Sequence, residues 1–196
     1  AREHRLMVVH DFAYADFAYD GYRPPSFLEV PGAKEVGIEI HSVSKTFNMT
    51  GWRVGWAAGH PEVVRALNRL KSNLDSKQFG AVSQAAAHAL DTWEADRPTL
   101  RLYQKRRDIL VGGLRALGFD VEPPKASFYV WLPVPAGTTS AEFAKQLLVA
   151  AGVLVIPGNG YGEHGEGYVR LSLTVAGDRD GERVAEAVER IRRALA

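Results

Sequence analysis

Residues 37–53 read Gly37-Ile38-Glu39-Ile40-His41-Ser42-Val43-Ser44-Lys45-Thr46-Phe47-Asn48-Met49-Thr50-Gly51-Trp52-Arg53. The first six alternate β-branched and polar residues and are predicted to form a strand. Lys45 therefore stands just past a strand end. The hydroxyls of Ser42 and Ser44 precede it, and the guanidinium of Arg53 follows eight residues on. An amine, two hydroxyls and a cation at one strand end suit a phosphorylated aldehyde. The amine condenses with the carbonyl while the other groups hold the phosphate.

Upstream, the short apolar run Leu6-Met7-Val8-Val9-His10-Asp11 ends in a carboxylate, and Tyr14 follows three residues later. A carboxylate at a buried strand end is costly without a cationic partner, and a protonated pyridine nitrogen would be one. The Tyr14 phenol could then reach a ring hydroxyl. Each of these residues also has a plain reading. Asp11 alone suits a turn, Ser42 and Ser44 suit a cap, and a lone lysine or arginine suits solvent. Their grouping favours chemistry. Arg53 lies between Trp52 and Val54, where an unpaired charge is expected to be expensive and a phosphate would satisfy it. Arg170 lies in an otherwise apolar strand. There an amino acid's α-carboxylate is a better expectation than a structural salt bridge.

Asp11-x-x-Tyr14, Ser42-x-Ser44-Lys45, Arg53 and Gly167-Tyr168-Val169-Arg170-Leu171-Ser172 occur in that order along nearly the whole chain. Together they resemble the class I/II aminotransferases, pyridoxal-phosphate enzymes of fold type I. The resemblance implies that Lys45 carries pyridoxal 5'-phosphate. Asp11 pairs with the ring nitrogen, Tyr14 with the ring hydroxyl, and Ser42, Ser44 and Arg53 with the phosphate. Lys45, Asp11 and Tyr14 would be the catalytic set, and Arg170 would grip the α-carboxylate of amino-acid and 2-oxo-acid substrates. It also implies a cytoplasmic protein that is a homodimer at full length. The wording of residues 50–56 and 157–160 resembles the bacterial diaminopimelate/aspartate branch. Family members are considerably longer. They begin with a segment supplying a phosphate loop, a ring-stacking aromatic and an asparagine. None of these has a counterpart here, so the chain is expected to be an inactive C-terminal half. A carbon–sulfur lyase on the same fold starts from the same Cα carbanion and remains an alternative. So does a non-catalytic effector domain of a transcription regulator.

Composition narrows the field in other ways. The 196 residues carry a formal charge of +1, with 24 basic and 23 acidic side chains, so nothing electrostatic points to nucleic acid or an anionic membrane. The absence of cysteine removes disulfides, thiolate metal sites and cysteine nucleophiles. No apolar run is long enough to span a bilayer, and the six histidines show no metal-ligand spacing.

The expected fold is α/β. Residues 1–97 would be the remainder of a large cofactor domain, with strands at 6–10, 37–42 and 53–58 and helices from Pro61 and at 81–93. In the first helix Val63, Val64, Leu67, Leu70 and Leu74 share one apolar face. Residues 98–196 would be a small α+β domain, with helices at 98–117, 140–151 and 179–195 and strands at 119–122, 127–132, 153–156 and 168–174. Thr139-x-x-Glu142 is a capping-box signature. Lys105-Arg106-Arg107 reads as a solvated helix face. Gly158–Gly167 reads as a flexible loop feeding the Arg170 strand.

Overall fold

The structure, a computed structural model, describes residues 1–75, 77–94 and 97–196. The chain divides into two compact units, Ala1–Ala95 and Asp96–Ala196. The boundary expected at residue 97 adjoins Ala95 and Asp96, which lie outside the described residues.

In the first unit, β1 (Val8–Asp11), β2 (Gly37–Ser42) and β3 (Gly55–Gly59) form a sheet in that order. β1 runs parallel to β2, with Asp11 opposite Ile40, and β3 runs antiparallel to β2. The first strand starts two residues later than the apolar run suggested. Leu6 is exposed, and its amide bonds back to the Ala1 carbonyl, closing a turn instead of extending the ladder. β2 leads directly into a single helical turn, α1 (Val43–Thr46). α2 (Pro61–Leu74) carries proline at its start, where the missing N–H costs nothing, and α3 spans Gly80–Asp91. The apolar face of α2 exists as patterned but buries little. Val63 and Val64 are half-buried, whereas Leu67, Leu70 and Leu74 are 42, 58 and 75% exposed.

The sheet of the first unit is cross-braced by a polar cluster that sequence reading missed. Glu39 is 2% exposed. Its Oε2 accepts from Ser26 Oγ at 2.8 Å and from the Phe27 amide at 2.9 Å. His10 Nδ1 lies 2.9 Å from Oε2, and His41 Nε2 lies 2.8 Å from Oε1. Register explains the grouping. His10 stands opposite Glu39 across the β1–β2 ladder, and His41 is two residues beyond Glu39 on the same face. Burial raises the Glu39 pKa, but the bonds from Ser26, His10 and Phe27 and the charge of His41 outweigh it. The carboxyl is held below its ordinary value.

In the second unit, β4 (Tyr129–Pro133), β6 (Tyr168–Ser172) and β5 (Ile156–Pro157) form an antiparallel sheet with β6 central. Alternation sends Val130, Leu132, Val169 and Leu171 into the core. α4 (Pro98–Ala116) contributes Leu110, Val111 and Leu114 to that core, α5 (Ser140–Gln146) contributes Phe143, and α6 (Glu182–Leu195) contributes Val184 and Ile191. α5 opens with the expected capping box and continues as a π-helical turn, Leu147–Ala151.

Three expectations for this unit need correction. Arg106 and Arg107 are buried, not solvated. The Arg106 guanidinium donates to the Leu173 and Val175 carbonyls at 3.0 Å each and to the Asp178 carbonyl, and its Nε lies 3.3 Å from Asp178 Oδ2. It thereby fixes the chain leaving β6, while Asp178 Oδ1 accepts the Gly181 amide just before α6. Residues 119–122 are not a strand. Arg115 Nε takes the Val121 carbonyl at 2.8 Å, which occupies a group that a ladder would need. The strand at 153–156 shrinks to Ile156–Pro157, because the Val153 amide bonds back to Leu147 at the helix end.

Candidate active site

Two groups of predicted residues occupy the two units. In the first unit, β1 and β2 are parallel neighbours. Their carboxyl ends, Asp11 and Ser42, therefore lie along the same edge of the sheet, where ligands bind in open α/β sheets. After β1 the chain turns tightly: the Phe12 amide bonds to the Ile40 carbonyl, and the Phe17 amide to the Tyr14 carbonyl. After β2, Ser42 caps α1, its Oγ accepting the Ser44 amide at 3.1 Å. Thr46 Oγ1 donates to Asp16 Oδ2 at 2.9 Å, tying the lysine turn to the Tyr14 turn. The result is that Lys45 Nζ lies 5.8 Å from the Tyr14 ring centroid. Lys45 and Tyr14 are half-buried, and Ser44 is buried.

Arg53 is joined to this edge through its backbone. Ser42 Oγ donates to the Val54 carbonyl at 3.2 Å, and the Val43 amide bonds to the same oxygen. Arg53 itself has a left-handed backbone, φ 56° and ψ 50°, rare for a residue with a Cβ. Its guanidinium donates to the Thr50 carbonyl at 3.0 Å, and its own carbonyl accepts from Gln78 Nε2. Thr50 Oγ1 in turn donates to the Ser44 carbonyl at 3.1 Å.

The burial expected at two residues is not found. Asp11 and Arg53 are both exposed in this chain, so neither pays the desolvation cost that the sequence argument assigned to it. The Asp11 carboxylate accepts the Ala13 amide at 3.2 Å, the turn role that was its plain alternative. Ser42 likewise performs the capping role of its plain reading. What remains for a phosphorylated pyridine aldehyde is the set of side-chain types. A lysine, a carboxylate, a phenol and two serines lie at or just beyond one sheet edge, with Lys45 and Tyr14 brought together and Arg53 on a segment tied to that edge.

The second unit holds Arg170. It sits in the middle of β6, opposite Trp131 on one side and Ile156 on the other. Tyr168, Arg170 and Ser172 face away from the buried Val169 and Leu171. The guanidinium carbon lies 4.0 Å from the Tyr129 ring centroid and 4.5 Å from that of Tyr161. Ion pairs of arginine among the described residues involve other arginines, and none joins Arg170 to a carboxylate. The salt bridge that rivalled the carboxylate reading is thus not seen among the described residues.

Sequence reasoning missed Tyr129, Tyr161 and Gln78 here. Tyr161 was hidden because the glycine-rich run was read as flexible. That run folds into two short 3-10 turns, Gly158–Tyr161 and Glu163–Gly165. A Cβ on Gly158 would meet the Gly165 carbonyl oxygen at 2.0 Å, and a Cβ on Gly165 would meet the Gly158 oxygen at 2.0 Å. The glycines thus allow two backbones to touch and set Tyr161 against Arg170.

Comparison with known proteins gives this geometry a context. The sequence model of the family "Aminotransferase class I and II" matches residues 1–191. An LL-diaminopimelate aminotransferase of Moorella thermoacetica is 56% identical over 196 residues, covering all of this chain and 49% of that protein. One from Desulforudis audaxviator is 54% identical over the same span and share. Among solved structures, a probable N-succinyldiaminopimelate aminotransferase from Thermus thermophilus superimposes with a TM-score of 0.86 at 37% identity. The match covers all of this chain and 51% of that one. The chain spans about half the length of the curated relatives it matches. Its fold is part of the fold type I architecture.

Proposed function

This chain belongs to the class I and II aminotransferases, and we propose that it carries the lysine-bearing part of an enzyme moving an amino group from LL-diaminopimelate to a 2-oxo acid. Enzymes of this family use pyridoxal 5'-phosphate. The observation that carries the reading is the meeting of Lys45 and Tyr14. They come from the ends of two adjacent parallel strands, in a chain 56% identical to a diaminopimelate aminotransferase.

Lys45 would attach the cofactor covalently. Asp11 would hold the ring nitrogen protonated, Tyr14 would bond the ring hydroxyl, and Ser42, Ser44 and Arg53 would bind the phosphate. When bound, the cofactor supplies an electron sink for negative charge at the substrate Cα. The amine of Lys45, once free, would take the Cα proton and deliver it to the cofactor's former aldehyde carbon within the same half of the exchange, and would carry a proton the opposite way for the acceptor. Arg170 binds the α-carboxylate of donor and acceptor alike through paired N–H bonds, which gives both substrates one orientation. A lysine cannot copy that planar two-point grip.

Activity belongs, in this proposal, to the full-length cytoplasmic homodimer; the chain alone is inactive. Its first unit leaves the α2 leucines and both sheet edges uncovered among the described residues, and the chain spans only half of its relatives. Among the described residues no helix is long and apolar enough to cross a membrane.

The test is a single-turnover experiment on full-length protein loaded with pyridoxal phosphate. Stoichiometric pyridoxamine phosphate and oxo acid from LL-diaminopimelate is the expected result. Release of ammonia with the cofactor unchanged would identify a lyase instead. No reaction with any amino acid would leave the effector-domain alternative.

A further inference from the structure

We propose that Tyr129 and Tyr161 are positioning residues, clamping the Arg170 guanidinium so that only its N–H edge meets the substrate carboxylate. The proposal rests on the reading of Arg170 as the carboxylate anchor. An arginine side chain has four rotatable bonds, and freezing them at the moment of binding weakens affinity. Here the planar cation is already held, with ring centroids at 4.0 and 4.5 Å from its central carbon. Ring faces carry negative quadrupole density, so both attract the guanidinium. Rings this close also displace water from the guanidinium, and rings stacked on its faces would leave the in-plane donors as the open direction. That direction is the one from which a carboxylate is gripped at two points.

The clamp is assembled from separate elements, and each has its own support. Tyr129 opens β4, two residues before Trp131, and so shares the Arg170 face of the sheet. Tyr161 comes from the turn fixed by the Gly158–Gly165 contact. Trp131 braces Tyr161 edge-on at 5.4 Å between centroids and Tyr168 at 6.3 Å. No carboxylate pairs with Arg170 among the described residues, so the clamp holds the cation without consuming the edge that a substrate needs.

The experiment is calorimetric titration of full-length protein with succinate, a dicarboxylate with no amino group to react. The panel is wild type, Arg170→Ala, Tyr129→Ala, Tyr161→Ala, Tyr129→Phe and Tyr161→Phe. Cofactor absorbance serves as the folding control, and donor KM and kcat are measured in parallel. Each alanine variant is expected to weaken succinate about 3- to 10-fold, the upper figure being ~1.4 kcal/mol. Donor KM should rise by the same factor with kcat less affected. The phenylalanine variants keep the ring faces and should bind as wild type does. Loss in Arg170→Ala with unchanged affinity in both tyrosine-to-alanine variants overturns the clamp. So does equal loss in the phenylalanine variants, which would assign the effect to the hydroxyls. If an alanine variant fails to load cofactor, its phenylalanine counterpart and the other tyrosine decide. Unchanged affinity in Arg170→Ala removes the anchor itself, a failure distinct from that of the clamp.

Discussion

The two units of this chain are built from similar amounts of sequence but differ in how much core they close. Among the described residues, seventeen buried apolar side chains fall in the second unit and six in the first. The second unit packs helices against one face of a complete antiparallel sheet and turns the other face, with its aromatics and Arg170, outward. The first unit adds the buried Glu39 cluster and hydrogen bonds between turns to a smaller apolar core, while an amphipathic helix presents leucines to solvent. The difference teaches that patterning reports which residues share a face, not whether that face is buried: Leu67, Leu70 and Leu74 share one and are exposed. The unit that would bind the substrate carboxylate therefore closes the larger apolar core, and the unit that would bind the cofactor the smaller.

The comparison can be broken most severely by assaying the chain on its own. With pyridoxal phosphate and LL-diaminopimelate it should turn over at least ~10²-fold more slowly than full-length protein, because an unsupported site misplaces reacting groups. Comparable rates would show that the first unit needs nothing more. Next in size is a pair of truncations in the isolated chain. Leu132, fully buried, should cost about 2–5 kcal/mol on replacement by alanine, measured by urea unfolding. Leu74→Ala, largely exposed, should cost within about 0.5 kcal/mol. In a longer protein with the length of the curated relatives the Leu74 cost should rise if the additional residues cover α2, and an unchanged value would remove that surface from the account.

A smaller effect sharpens the picture of what holds the first unit. The folded Glu39 carboxyl titrates below its ordinary value of 4.5. The stabilisation it provides is therefore present above about that pH and is lost as pH falls through the lower folded value. Glu39→Gln should lose roughly 1–3 kcal/mol at neutral pH, as bonds to a buried acceptor are weakened. It should also flatten the acid limb of the stability profile of the first unit. An unaltered acid limb would mean that another group controls it.

Much of this was legible from residues alone, and the misses share a cause. The strand ending at Ser42, the lysine turn, the proline-led helices and the Thr139–Glu142 cap all follow from local patterns, and local geometry fulfils them. What failed depended on partners distant in sequence. Arg106 looked solvated because its neighbours are basic, yet its hydrogen-bonding partners lie some seventy residues away at the end of β6. Residues 119–122 have strand composition, but an arginine of α4 claims a carbonyl that pairing would need. Glu39 looked like one polar residue in an alternating strand, because its histidine partner His10 becomes visible only once the β1–β2 register is known. The aromatic clamp was likewise invisible until the glycine turn was seen to fold back on itself.

The central claim is that Lys45 is the cofactor's covalent partner. The direct measurement is borohydride reduction of full-length protein loaded with pyridoxal phosphate, followed by peptide mapping. The account predicts a pyridoxyl group on Lys45 in stoichiometric yield. A label on Lys34, Lys71 or Lys77, with Lys45 unmodified, would contradict it.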